Sequence, residues 1–136
     1  MMNDTELQVL LATSPLHRAW DLTITAVDRD AQRLTMRMPF TSSVERNDGS
    51  GQYHGAAIAG LIDIAGDFAL IALLGHGVPT INFRVDYLRP GTAPELTAIA
   101  QVQRLGKSVG VVDVTVEDAQ GKVVALGRGC YSTRAG

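Results

Sequence analysis

The hydrophobic positions of this chain fall into alternating stretches of two periods. Leu7, Leu10 and Leu11 recur at helical spacing within residues 4–12, which predicts a short N-terminal helix that Pro15 ends. Residues 22–27 and 33–40 alternate instead, with Leu34, Met36 and Met38 on one face. The turn-rich 28–32 between them predicts a hairpin. Helical spacing returns at Ile58, Leu61, Ile62, Ala65, Ala69 and Leu73, so about residues 54–74 form one long helix. Gly75-His76-Gly77-Val78-Pro79 stops it. Alternation then resumes in four segments, 80–88, 95–104, 108–117 and 122–133, broken by RPGTAP, LGK and DAQG.

Residues 41–53, TSSVERNDGSGQY, follow neither period and read as a loop, long enough to suspect a function. The later strands would each span roughly 30 to 40 Å, and the helix roughly 30 Å. A long apolar helix needs a cover, and a long antiparallel sheet can supply one. The order α-β-β-α-β-β-β-β therefore predicts an α+β fold, a curled antiparallel sheet wrapped around one central helix. Residues 1–136 make one domain, with 1–19 as a helical extension.

Composition narrows the function. With 46% hydrophobic residues and a net charge of −2, the chain can build a core and has no polybasic face for nucleic acid. One cysteine, Cys130, excludes a disulfide framework within the chain and suits a reducing, cytoplasmic setting. The N-terminus lacks the basic region of a signal peptide. The apolar stretch 56–74 is broken by Asp63 and Asp67, which a bilayer would tolerate badly. His17 and His76 make no metal spacing with His54, so no metal site is expected. They read as capping or surface residues, and Cys130 as core or interface.

The chemistry concentrates in YHGAAIAGLIDIAGD, residues 53–67. The first amides of the helix, near Gly55, are free donors at the positive end of the dipole and suit a developing oxyanion. Asp63 lies on a stripe of small residues, Ala56, Ala59, Gly60 and Gly66. The stripe admits a backbone, a partner helix or a ligand, or simply tight packing around Asp63. Gly55 and Asp63 are eight residues apart, about 12 Å along the helix. One carbonyl cannot touch both groups of one helix, because each must come within about 3 Å of it. Two antiparallel copies could supply one group each, so a two-fold dimer with composite sites is expected if both act on one substrate.

His54-Gly55-Ala56-Ala57-Ile58, the aspartate nine places after the histidine, and Thr80-Ile81-Asn82-Phe83-Arg84-Val85-Asp86-Tyr87-Leu88-Arg89-Pro90 together resemble the hot-dog-fold acyl-CoA thioesterases. The nearest branch is the phenylacetate-pathway type, with the hydroxybenzoyl-CoA thioesterases close by. The resemblance runs over roughly residues 20–133. Its pattern is Asn-x-x-Gly-x-x-His-Gly-Gly, then Asp, then Tyr/Phe-Leu-x-Pro, specific in combination and not in its pieces.

The resemblance implies that Asp63 is the catalytic carboxylate, as nucleophile or general base. It implies that the Gly55 amide polarises the thioester carbonyl, with His54 orienting the thioester or the loop. Thr80 takes the place of a hydroxyl residue that helps set the water or the carboxylate, and Gly51 matches the loop glycine. The pattern's asparagine falls on Asp48, with Asn47 adjacent, so either residue could fill that position. A second carboxylate near Asp63 would raise the proton affinity of the pair. Ala56 replaces the second glycine, a mild change.

Asp67, one turn beyond Asp63, could bind water, pair with a base or contact a polar substrate. Arg89, Arg104 and Lys107 are the candidate partners of CoA phosphates, and Asn82 joins Asp67 among the candidate substrate contacts. No cofactor is expected, since CoA belongs to the substrate. The partners implied are acyl-CoA and further copies of the chain, as a dimer and then a dimer of dimers. Two other functions fit less well. A hot-dog hydratase or dehydratase could use an Asp48–His54 pair, but its Asn-Pro element is missing. A non-catalytic acyl-CoA-binding protein would have no use for Asp63.

Overall fold

The computed structural model describes residues 1–134; the last positions of the domain expected to reach residue 136 lie outside the described residues. The elements are α1 (Asp4–Leu11), α2 (Pro15–Ala19), β1 (Thr23–Asp28), β2 (Arg33–Pro39), α3 (Gly55–Leu74), β3 (Thr80–Tyr87), β4 (Glu95–Leu105), β5 (Val109–Asp118) and β6 (Val123–Ser132). A single 3-10 turn, Ser42–Val44, interrupts the loop before α3. The six strands form one sheet in the order β1-β2-β4-β5-β6-β3, and every pairing is antiparallel.

The expected helix, hairpin and four later strands are all present, with ends shifted by a residue or so. Pro15 plays a different part from the one expected. α1 ends earlier, at Leu11, with Ala12 as its C-cap. Pro15 instead opens α2 in its first turn. A proline there loses no helical hydrogen bond, and its fixed φ suits the start of a helix.

The core lies between α3 and the concave face of the sheet. Leu34, Met36 and Met38 of β2, Leu96, Ala98 and Ala100 of β4, and Val112, Val114 and Val116 of β5 are buried at alternate positions. They pack with Leu61, Ile62, Ala65 and Leu70 of the helix. Complete burial of such a side chain contributes about 1.5–3 kcal/mol, and this face rather than helix propensity holds α3 in place. By length and a mean hydropathy of 2.1, α3 could cross a membrane; here it is the buried axis of the sheet. Gly75, at φ 80°, ends it in the left-handed conformation, its N–H bonded to the carbonyl of Ile71.

The two glycines of the small-residue stripe are filled from within the chain. A Cβ on Gly60 would lie 2.7 Å from the Trp20 ring, and one on Gly66 would lie 2.2 Å from the Tyr131 hydroxyl. These glycines thus offset their helix cost of about 1 kcal/mol each by admitting two aromatic side chains.

The two edges of the sheet differ. β1 is covered by α1, whose Gln8 Oε1 accepts from the Ile24 N–H at 3.1 Å. Among the described residues β3 has no neighbour on its outer side, and Ile81 and Phe83 stand 55% and 40% exposed on it.

Candidate active site

The site begins at the first turn of α3. The backbone N–H of His54 donates to the Val44 carbonyl at 2.7 Å, which anchors the loop to the helix start. His54 is the N-cap, and its Nδ1 accepts from the Ala56 N–H at 2.9 Å. An amide can only donate, so Nδ1 carries no proton and Nε2 carries it. The N–H groups of Ala57 and Ile58 donate to the His54 carbonyl, at 3.0 and 3.2 Å. Among the described residues the Gly55 N–H has no acceptor. It is therefore the one open donor of the first turn, where the helix dipole favours negative charge.

The carboxylates lie further along α3. Thr80 donates from Oγ1 to Asp63 Oδ1 at 2.7 Å. A β-bulge makes this bond possible. Asn82 and Arg84 pair with Cys130 and Arg128, but the register shifts between Thr80 and Asn82, so that Thr80 pairs with Tyr131. Strict alternation would place Thr80 on the face of Asn82. The extra residue turns it toward the helix, as bulges beside functional sites do. Tyr131 reaches the same turn of α3, donating its hydroxyl to the Asp63 backbone carbonyl at 3.0 Å. Burial first, then the charges of Asp63 and Asp67, raises the Tyr131 phenol above its ordinary value, so it stays a neutral donor.

Asp67 sits one turn beyond Asp63, with its Oδ1 buried and without a hydrogen-bond partner among the described residues. Burial first, and then Asp63, pushes its carboxyl up to about 7. It lines a surface pocket with His76, Pro79, Ser132 and Arg134, yet forms no ion pair among the described residues. Of the three uses expected for Asp67, pairing with a base is therefore not realised within the protomer.

The loop residues stand apart. Asn47 and Asp48 are exposed, at the tip of a hairpin-like loop closed by Arg46 N–H to the Gln52 carbonyl at 2.8 Å and Ser50 N–H to the Asn47 carbonyl at 3.0 Å. Within one protomer the carboxyl that feels the charge of Asp63 is Asp67. Among the described residues no hydrogen bond joins Asp48 to His54, whose Nδ1 accepts from Ala56 instead.

The other candidate substrate contacts lie in separate places. Asn82 lies in a groove on the sheet with Arg84, Asp86, Asp113 and Arg128, on the opposite face from Thr80. Arg89, Arg104 and Lys107 do not form one cluster in a protomer. Arg89 lines a pocket at the helix start with Arg46, Gly55 and Tyr87. Arg104 and Lys107 flank the β4–β5 turn, where Gly110, paired with Leu105, packs on Leu70 in the C-terminal half of α3.

Three contributors were missed in the sequence. Arg46 lies in the loop already singled out, and its charge was the available signal. Tyr87 donates its hydroxyl to the Gly55 carbonyl at 2.7 Å, and Tyr131 holds the Asp63 turn; neither contact leaves a local trace in the pattern. His17 and His76 bond backbone carbonyls, of Leu11 and Gly77 respectively, as expected of structural histidines.

Residues 51–125 match the family model of the thioesterase superfamily. The acyl-coenzyme A thioesterase PaaI of Escherichia coli is 34% identical over 113 residues, covering 82% of this chain and 77% of that one. The solved structure of the E. coli PaaI protein, from the phenylacetic acid degradation operon, superposes with a TM-score of 0.80 at 28% identity, covering 98% of both chains. A crystal structure of another thioesterase-superfamily protein superposes with a TM-score of 0.87 at 30% identity, covering 94% of this chain and 96% of that one.

Proposed function

Because the chain belongs to the thioesterase superfamily, as a hot-dog-fold thioester hydrolase, we propose that it hydrolyses acyl-CoA at sites shared between two subunits. The observation that carries this reading is the separation of one open amide and one braced carboxylate on the same helix. Gly55 and Asp63 stand about 12 Å apart, too far for one thioester.

In the proposed site the thioester oxygen lies on the Gly55 N–H of one subunit, with His54 Nε2–H beside it. Asp63 of the other subunit faces the carbonyl carbon. It either attacks that carbon or takes a proton from a water that does. Negative charge gathers on the oxygen at the helix start, the C–S bond breaks, and CoA leaves as a thiolate that is then protonated. On the covalent route water hydrolyses the resulting anhydride and restores Asp63. Thr80 fixes the carboxylate for either route. Whether Asp48 or Asn47 of the loop positions water is decided across the same interface, and no cofactor takes part.

The bare β3 edge supports the dimer. An exposed edge with apolar side chains invites pairing, and adding a second β3 would cover Ile81 and Phe83. Association of such dimers into a tetramer is part of the proposal. CoA phosphates would then meet Arg46 and Arg89 of one subunit and Arg104 and Lys107 of the other. The single free Cys130 fits a reducing compartment such as the cytoplasm.

Thiol release from a panel of short, medium, long and aromatic acyl-CoAs tests the function and identifies the acyl group. Turnover of at least one class is expected. Saturable binding with no thiol released by any of them would contradict it.

A further inference from the structure

We infer that Tyr87 is a positioning residue, which holds His54 as an Nε2–H donor beside the Gly55 amide through a chain of two hydrogen bonds across one peptide group. The inference rests on the acyl-CoA reading for its catalytic consequence, though not for its geometry. The Tyr87 hydroxyl donates to the Gly55 carbonyl at 2.7 Å. That carbonyl shares its peptide group with the Ala56 N–H, which donates to His54 Nδ1 at 2.9 Å. A donor at the carbonyl draws electrons from the amide nitrogen and makes its N–H a stronger donor. The ring nitrogen at the end of the chain is thereby kept as acceptor, and the proton is kept on Nε2.

The arrangement also explains where β3 sits. One end of the strand braces Asp63 through Thr80, and the other braces the helix start through Tyr87. A single edge strand thus sets both the carboxylate and the amide of its own subunit. The Tyr87 ring closes one side of Gly55, with its nearest atom 3.5 Å from where a Cβ would stand. The hydroxyl rather than the ring is the feature that forms the chain.

The test is Tyr87→Phe, which keeps the ring. Nitrogen NMR of protein labelled in its histidines reads the tautomer, with His54 separated from His17 and His76 by single substitutions. In the parent protein His54 should show an unprotonated Nδ1 and a protonated Nε2. Tyr87→Phe should shift part of the population away from that tautomer. It should also lower kcat about fivefold, the scale of one neutral hydrogen bond, with KM unchanged.

A parent His54 protonated on Nδ1 would overturn the inference. So would a Tyr87→Phe variant with the parent kcat. A fall in kcat without any change in the tautomer would also overturn it, because the hydroxyl would then act by some route other than His54. The tautomer decides the matter even if no acyl-CoA is turned over, an outcome that would instead count against the thioesterase reading.

Discussion

The first turn of α3 and its middle are built from opposite chemistry. At the first turn, donors are in surplus, and side chains and carbonyls consume them until one amide, that of Gly55, is left. In the middle, acceptors are in surplus. Asp63 has Thr80, while Asp67 keeps a buried oxygen with no partner. A donor end and an acceptor centre are complementary halves of a site for a carbonyl under attack. The rigidity of the helix keeps them from meeting in one chain. In the proposed dimer a second, antiparallel copy brings them together at both ends.

The comparison breaks most visibly at its centre. Asp63→Asn should lower kcat about a thousandfold, the upper part of the range for an acid–base group. A steady-state assay with protein freed of parent enzyme measures this, and parent-like turnover would remove Asp63 from the reaction.

Gly55→Pro probes the other half. Proline is favoured at the first helical position, where it removes the N–H, and its Cβ would meet the Tyr87 hydroxyl at ordinary contact, 3.5 Å. His54, at φ −63° and ψ 137°, already has the extended backbone that a residue before proline requires. The expected outcome is about a hundredfold loss in kcat with unchanged thermal unfolding. Thr80→Val sharpens the centre further. Loss of one hydrogen bond to a carboxylate should cost about tenfold in kcat, readable in the same assay.

Asp67 gives a prediction about stability. Its folded-state value of about 7 lies above its ordinary 3.8. The folded chain therefore holds a proton that the unfolded chain has lost, and stability falls as pH rises from about 4 to about 7. The full effect is about 4 kcal/mol. Asp67→Asn should flatten that slope in denaturant titrations between pH 4 and 8. An equal slope in both proteins would show that Asp67 is not the titrating group.

Much of this contrast could be read along the chain. Helical spacing from Ile58 to Leu73 and alternation after Thr80 depend on local order, so the helix and strands were legible. So was the pairing of a helix start with a carboxylate two turns on, because helix geometry sets their separation. The rest depends on contacts distant in sequence. Alternation puts Thr80 on the face of Asn82, and only the pairing of β3 with β6 reveals the bulge that turns it. Gly60 and Gly66 looked open until Trp20 and Tyr131 filled them. Arg89 seemed to belong with Arg104 and Lys107, yet the curl of the sheet sends them to opposite ends of α3.

Mixing subunits tests the shared site most directly. Asp63→Asn and Gly55→Pro chains, each nearly inactive alone, are unfolded together, refolded and assayed. Random pairing makes half the dimers mixed, and each mixed dimer holds one site with an intact Gly55 and an intact Asp63. Recovery to about a quarter of parent activity is the predicted result. Recovery no greater than the sum of the two variants, with mixed dimers shown to have formed, would contradict the shared site.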